Sequence, residues 1–392
     1  MTHTRTRFMF LNAGHFLDHY LMLVFASVAA FHLTSEWGME YHQLIPYATP
    51  GLVAFGVCAI PAGWLADKWS RPAMMGIFFI GVGASAVFTS FTDTPIGMAV
   101  GLTLTGIFAA IYHPVGIAMV VQGRQKMGIP LAVNGIFGNM GVASAALITG
   151  LLIDNLGWRS AFYIPGIVSI LIGLMYWRFE SRSAGDVLDT NKTQKPKVEA
   201  AALSSEVVKR IFIIVLIVTM FGGLIFQSTT FALPKIFDER LQGFAGSASS
   251  VGFYTFLVFS IAAFAQLVVG YLLDKYSARR ILLWIATFQV VLFAAMLNLT
   301  GLPALIVAMA FMLLVFGEIP ITDVLVGKIV GSEWRSRAYA LTYLVGFSVS
   351  AAAVPMIAVI HEDWGFNRLF MLLACFAFLI VIAAWALPKR NT

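Results

Sequence analysis

The sequence predicts an all-α integral membrane protein with twelve transmembrane helices in two repeated six-helix halves. Of its 392 residues, 59% are hydrophobic and 11% are charged, whereas soluble domains are about half apolar and a quarter charged. Weakly charged segments of roughly 20 residues, the length that crosses a hydrocarbon core, recur along almost the whole chain. Motifs of the first half also recur in the second.

Twelve predicted spans are separated by charge clusters, proline or glycine. The first six lie at about 8–31, 44–64, 73–92, 96–120, 131–153 and 160–178. The second six lie at about 210–233, 248–272, 280–298, 303–326, 338–360 and 367–387. The predicted domains are an N-terminal half over 1–178, a linker over 179–209 and a C-terminal half over 210–392.

The linker is polar, carries both charge signs and lacks an apolar stretch long enough to pack, which predicts a flexible cytoplasmic connection. Loops on the side of the linker and the termini carry 21 of the 25 Lys and Arg residues. Because basic loops stay in the cytoplasm, we expect both termini there and a location in the cytoplasmic (inner) membrane. We expect no cleaved signal peptide, since two His and an Asp interrupt the first apolar stretch. The opposite loops carry only Arg159, Lys235, Arg240 and Arg368.

Two pairs of motifs relate the halves. AGWLADKWSRP at 62–72, after the second span, recurs as VGYLLDKYSARR at 269–280, after the eighth. DNLGWRSAF at 154–162 corresponds to EDWGFNRLF at 362–370. The same order at a similar offset predicts that six helices were duplicated in parallel.

The loop GWLADKWSR at 63–71, between the second and third of twelve spans, resembles the signature loop of the major facilitator superfamily. The resemblance covers nearly the whole chain and implies the major facilitator fold, with this loop acting as a conformational latch. A carboxylate at a helix boundary can cap a neighbouring helix while pairing with Arg. In the second copy the arginine falls one residue later. The latch residues implied in the two copies are Gly63, Asp67, Arg71, Gly270, Asp274 and Arg279.

The segment GHFLDHY at 14–20 places His15, Asp18 and His19 inside the first span. Residues i, i+3 and i+4 share one helix face, so these three form a polar patch. A charge at the membrane centre costs about 2.5–3.5 kcal/mol on insertion scales, so the patch is expected to face a central cavity between the halves. The superfamily resemblance implies that spans one, four, seven and ten border this cavity. The further polar candidates on those spans are Tyr112, His113, Gln227, Ser228, Thr230 and Glu318.

Imidazoles and carboxylates can gain and lose protons while a cavity alternates between two solutions, which predicts proton coupling. We expect Asp18 and Glu318 to accept the protons, with His15 and His113 as partners. The expected substrate contacts are His15, His19, Tyr112, His113, Gln227, Ser228, Thr230 and Glu318.

The predicted function is a proton-coupled secondary transporter that exports a small organic compound or drug by alternating access. GHF in the first span with His113 and Pro114 in the fourth is similar to the fosmidomycin-resistance-type exporters. Two alternatives stay open: a proton-coupled importer of a small organic acid, and a carrier of a transition metal or metal chelate that uses the His and Asp side chains. The sequence itself assigns no metal site and no cofactor.

An enzymatic function is not expected. The sequence has no Walker loop, no GxSxG and no HExxH motif. Its net charge of +6 reflects cytoplasmic loops beside anionic lipid headgroups and not nucleic acid. The expected partners are a small-molecule substrate, protons and the lipid bilayer, with the protein itself a monomer.

Overall fold

The computed structural model describes residues 3–122, 124, 128–183, 205–243, 245–329 and 335–388. These residues form helices and turns and contain no strand, which confirms the predicted all-α class. They divide into two compact units. The N-terminal unit comprises the described residues within Met1–Gln194 and Ala245–Phe256, and the C-terminal unit those within Lys195–Phe244 and Leu257–Thr392. Most of the predicted linker lies outside the described residues.

Eleven helical segments of the described chain are long and apolar enough to cross a membrane. The first six are α1 His3–Trp37, α2 Tyr41–Lys68, α3 Arg71–Ser90, α4 Pro95–Val121, α5 Gly128–Leu156 and α6 Ser160–Ser183. The other five are α7 Ser205–Arg240, α8 Ala248–Lys275, α9 Ala278–Ala295, α10 Gly301–Ile329 and α11 Arg335–Trp385.

The last helix, α11, contains both of the last two predicted spans. It runs for 51 residues but is broken at Gly365, which has φ 65° and ψ −172°. Its counterpart in the repeated motif, Gly157, has φ 82° and follows the end of α5. Left-handed backbone is readily adopted by glycine, so both copies of the motif turn the chain with the same residue. The break therefore separates the eleventh and twelfth predicted spans.

The helices extend beyond the apolar segments that predict them. Hydropathy predicts a first span over 8–31, whereas α1 begins at His3 and ends at Trp37. At its start, Arg7 Nε and Nη2 donate to the two carboxylate oxygens of Glu180 on α6, at 2.7 and 2.6 Å. Paired charges of this kind keep helix ends ordered where the chain is no longer apolar.

Equivalent serines begin α3 and α9. Ser70 Oγ accepts a hydrogen bond from the backbone N–H of Ala73, and Ser277 Oγ accepts one from Arg280. Each serine satisfies an N–H group that the first helical turn leaves without a partner. At the start of α3 the cap is supplied by Ser70, and a capping role for Asp67 toward another helix stays a prediction.

Small residues let the helices of the N-terminal unit approach closely. In this unit α1 packs on α5, α2 on α4, and α3 on α6. A Cβ added to Gly51 would lie 2.6 Å from the carbonyl oxygen of Leu102, and one added to Gly83 would lie 2.5 Å from that of Gly166. In the C-terminal unit, α7 and α9 pack against α11, and α8 packs against α10.

Gly106→Ala is expected to destabilise the N-terminal unit by about 1–3 kcal/mol, a usual cost of overpacking. The added methyl group would collide with the backbone carbonyl of Gly51 across the contact between α2 and α4. Thermal unfolding of the purified protein in detergent measures the effect. Gly270→Ala is the matched control, since nothing described lies within 4 Å of its added methyl, and helix propensity favours alanine by up to about 1 kcal/mol. Equal unfolding midpoints for the two variants would contradict the close α2–α4 contact.

A charged network joins the end of α1 and two turns of the N-terminal unit. Arg159, in the turn between α5 and α6, lies 2.5 Å from a carboxylate oxygen of Asp93 and 3.4 Å from one of Glu36. Trp158 Nε1 donates to the other oxygen of Glu36 at 2.7 Å. The network connects the end of α1 to the turns between α3 and α4 and between α5 and α6.

The C-terminal unit has a corresponding network with a different charge arrangement. Asn367 occupies the position of Arg159 in the repeated motif, and its Oδ1 accepts hydrogen bonds from Arg240 Nη2 at 2.8 Å and from the N–H of Asn298 at 3.0 Å. Arg240 is only 8% exposed and also donates to the backbone carbonyl of Met296. The cation thus stands at the end of α7 in one unit and in the turn after α5 in the other.

Candidate functional site

The fourth helix, α4, contains an irregular turn around the predicted site residues Tyr112 and His113. Tyr112–Gly116, with the sequence YHPVG, is a π-helical turn inside α4. Pro114 has no backbone N–H and disturbs the α-helical bonding pattern, and π-helical turns occur frequently at functional sites. This turn places Tyr112 and His113 against α1.

The predicted polar patch on α1 meets α4 in the structure. His19 Nε2 lies 3.2 Å from His15 Nε2, and His113 Nε2 lies 3.4 Å from Asp18 Oδ2. The ring centroid of His113 is 5.4 Å from those of both His15 and His19. We call these four residues the His–Asp cluster. It lies entirely within the N-terminal unit.

His15 is held on three sides. Its Nδ1 lies 2.8 Å from the backbone carbonyl oxygen of Asn134 on α5, and since a carbonyl only accepts, Nδ1 carries the hydrogen. The ring stacks on Tyr112 with centroids 4.8 Å apart. On α5, a Cβ added to Gly138 would lie 2.6 Å from His15 Nε2. The imidazole therefore has a fixed position and a fixed tautomer.

Asp18 is the most enclosed member of the cluster. Its side chain is fully buried, and neither carboxylate oxygen has a hydrogen-bond partner among the described residues. Its Oδ2 lies within ion-pair distance of His113 Nε2, at 3.4 Å. No described Lys or Arg forms an ion pair with Asp18. A buried carboxylate in this state requires a proton or a cation.

Two asparagines that were not predicted as site residues connect the cluster to the fold. Asn134 Nδ2 donates to Asn12 Oδ1 and to the hydroxyl of Tyr112, both at 2.9 Å. The Tyr112 hydroxyl donates to the carbonyl of Leu11 at 2.8 Å. The sequence does show that both asparagines place an amide side chain inside a predicted span. Asn12 also stands three residues before His15, on the same helix face. A substrate-contact role for Tyr112, whose hydroxyl is occupied here, stays a prediction.

Glu318 on α10 is the acidic site of the C-terminal unit. It is 7% exposed, and its Oε2 accepts a hydrogen bond from Gln289 Nε2 on α9 at 3.0 Å. On α7, a Cβ added to Gly222 would lie 2.6 Å from Glu318 Oε1. Glycine at 222 therefore leaves room for the carboxylate, whose hydrogen-bond donor is a neutral amide.

The two units place different groups at related positions. Tyr112 stands two residues before Pro114, and Glu318 stands two residues before Pro320. Each of these side chains also packs against a glycine of the first helix of its unit. A Cβ added to Gly14 on α1 would lie 3.0 Å from the ring of Tyr112, and one added to Gly222 on α7 would lie 2.6 Å from Glu318 Oε1. The repeated scaffold therefore carries a phenol in one unit and a carboxylic acid in the other.

The predicted neutral contacts on α7 have different surroundings. Gln227 is half-buried, whereas Ser228 is fully buried and its hydroxyl has no hydrogen-bond partner among the described residues. The Thr230 hydroxyl donates to the carbonyl of Phe226 at 2.8 Å. Their roles as substrate contacts stay predictions.

The pair expected of a latch flanks the turn between α2 and α3. Arg71 Nη2 lies 2.7 Å from Asp67 Oδ1 in an exposed contact, and a Cβ added to Gly63 would lie 3.1 Å from Pro114 in the π-helical turn. The second copy differs from this arrangement. Arg279 donates to the backbone carbonyl of Trp385 at 3.1 Å and not to Asp274. Around Gly270, by contrast, nothing described lies within 4 Å of an added Cβ. Among the described residues, the glycine of this motif thus makes a close helix contact in the first copy and not in the second.

The amino-acid sequence matches a known protein family. The family profile described as Major Facilitator Superfamily matches residues 10–260 and 239–392. The chain is 24% identical over 272 residues to the multidrug resistance protein MdtG of Yersinia enterocolitica, covering 67% of this chain and 64% of that protein. It is 25% identical over 148 residues to the gallate transporter of Pseudomonas putida, covering 37% of this chain and 33% of that protein. The aligned segments cover less than two thirds of each relative.

The fold also resembles that of a solved transporter. The structure of a D-xylose–proton symporter matches with a TM-score of 0.73 and 13% identity, covering 100% of this chain and 98% of that chain. At this identity the likeness concerns the fold alone.

Proposed function

The chain belongs to the major facilitator superfamily, whose members are transporters, and on that premise we propose that it is a proton-coupled exporter of a small organic compound that works by alternating access. The observation that carries this proposal is Glu318, a carboxylate buried in a membrane helix beside the neutral amide of Gln289. Such a group bears a charge at high cost unless it takes up a proton or meets a cation. Intramembrane carboxylates of this kind mark proton and substrate pathways.

In the proposed cycle, Glu318 binds a proton from the outside and thereby loses affinity for the bound substrate. Substrate leaves outward, the proton leaves to the cytoplasm, and the carboxylate becomes available for the next substrate. The side chains of the N-terminal unit, with its imidazoles and Tyr112, supply polar and aromatic contacts to the cargo. The Asp67–Arg71 pair is proposed to stabilise one conformation of the cycle.

The direction of transport is proposed from the relatives. The similarity to MdtG supports export, and the GHF and His-Pro segments support a place near the fosmidomycin-resistance-type exporters. The similarity to a gallate transporter supports a second candidate, proton-coupled uptake of a small aromatic acid. For either candidate we propose a monomer. The Lys and Arg distribution supports a location in the cytoplasmic membrane with both termini in the cytoplasm.

The experiment uses the purified protein in liposomes that contain a trapped pH indicator. Drugs, aromatic and aliphatic acids, and divalent metals are added outside one at a time. An exchanger of substrate for protons makes the interior more alkaline, because protons leave as substrate enters. A symporter makes it more acidic. The sign does not depend on how the protein is oriented in the vesicle.

We expect alkalinisation with one or more organic compounds and none in protein-free liposomes. Acidification restricted to aromatic acids would overturn export in favour of uptake. If compounds enter the liposomes through the protein and none of them changes the interior pH, proton coupling itself is overturned.

A further inference from the structure

The three imidazoles of the His–Asp cluster converge on one point. We propose that His15, His19 and His113 bind a divalent transition-metal ion in the N-terminal unit. One nitrogen from each ring can be chosen so that all three lie within 4.8 Å of one another. The pair contributed by α1 is already closer, with Nε2 atoms 3.2 Å apart.

This spacing suits a small divalent ion. Zinc bound by imidazole nitrogen at 2.0–2.1 Å in a tetrahedral site has neighbouring ligands about 3.3 Å apart. His15 and His19 are one helical turn apart and meet that value without movement. The third ligand, His113, comes from the π-helical turn of α4 and needs to approach by up to about 1.5 Å to complete the triangle.

The surroundings of His15 match those of a metal ligand. Its Nδ1–H donates to the carbonyl of Asn134, which leaves the lone pair of Nε2 directed to the cluster. Metal-binding histidines commonly donate their other ring N–H to a carbonyl or carboxylate, which fixes both the tautomer and the ring orientation. Stacking on Tyr112 adds to this fixation.

Asp18 provides the charge that such an ion would need. It is fully buried, lacks a hydrogen-bond partner among the described residues, and its Oδ2 is 3.4 Å from His113 Nε2. A bound dication would compensate this carboxylate. Three imidazole ligands favour zinc, cobalt or nickel over calcium and magnesium, which prefer oxygen ligands alone.

The inference stands apart from the proposed function, because metal binding can be measured on solubilised protein that transports nothing. The full chain, with its affinity tag removed and metal stripped by a chelator, is titrated with Co²⁺ while visible absorption is recorded. We expect one ion per chain with the intense bands of a tetrahedral site, displaced by Zn²⁺. Wild-type protein with no saturable site would overturn the proposal.

Variants test the assignment of the ligands. His15→Gln, His19→Gln and His113→Gln are each expected to weaken Co²⁺ binding at least about tenfold, whereas His42→Gln, away from the cluster, retains it. Gly138→Ala pushes on His15 Nε2 and is expected to weaken binding, while its neighbour Gly135→Ala, with nothing described within 4 Å, is the matched control. Circular dichroism and unfolding midpoints establish that each variant is folded. Unchanged affinity in folded histidine variants would overturn the site.

Discussion

Glu318→Gln is expected to abolish uphill transport while leaving substrate exchange intact. With one proton exchanged per substrate, a pH difference of one unit sustains about tenfold accumulation. The variant should reach a ratio of about 1, since an amide cannot carry the proton. The introduced amide oxygen still accepts the hydrogen bond from Gln289, so the packing is retained. Uptake of labelled substrate into liposomes with an acidic interior gives the accumulation ratio.

The control for this result is Glu362→Gln, which neutralises an exposed carboxylate of the same unit. It is expected to accumulate substrate as the wild type does. Exchange of labelled for unlabelled substrate at equal pH reports binding and movement without proton drive. Accumulation that persists at wild-type level in Glu318→Gln would show that the proton is carried elsewhere, and loss of exchange as well would point to a binding role.

Arg240→Met is expected to destabilise the C-terminal unit by about 3 kcal/mol, the scale of hydrogen bonds to a buried charged group. The guanidinium donates to the carbonyls of Met296 and Leu299 and to Asn367, and stands 5.0 Å from the ring centre of Phe370. Methionine replaces the packing but removes the buried donors of the guanidinium. The Met296 carbonyl then keeps only the N–H of Leu299, and Asn367 Oδ1 only the N–H of Asn298, among the described donors. Thermal unfolding in detergent should show a midpoint lower by several degrees.

Arg368→Met is the comparison, because it removes an exposed arginine close to the same turn. Its only described polar contact is a sulfur atom, that of Met371, at 3.8 Å. We expect its midpoint to equal that of the wild type. If both variants unfold alike, the network around Arg240 adds no stability.

The helical organisation could be predicted because each span has to be apolar over the width of the membrane. The duplicated motifs also foretell the shared turns at Gly157 and Gly365, since only a few residue types adopt left-handed backbone. Helix ends could not be placed in this way. They depend on pairs such as Arg7 with Glu180, between residues far apart in the chain.

The candidate site was predictable in part. Helical spacing brings His15, Asp18 and His19 to one face, and the structure adds His113 from α4. Spacing within one helix gives no information on which neighbour meets that face. The link through Asn134 was therefore hidden, as was the contact of Arg279 with a backbone carbonyl.

The π-helical turn at Tyr112–Gly116 has a mechanical consequence. It contains one residue more per turn than the α-helix around it, and each residue of an α-helix corresponds to about 100° of rotation and 1.5 Å of advance. Tightening the turn would rotate Ile117–Val121 about the helix axis by that angle while Tyr112 stayed in place. Pro114, which contacts Gly63 on α2, lies within the same turn. A local change of pitch beside the His–Asp cluster would therefore turn the end of the fourth helix, next to the point where Pro114 approaches Gly63 of α2.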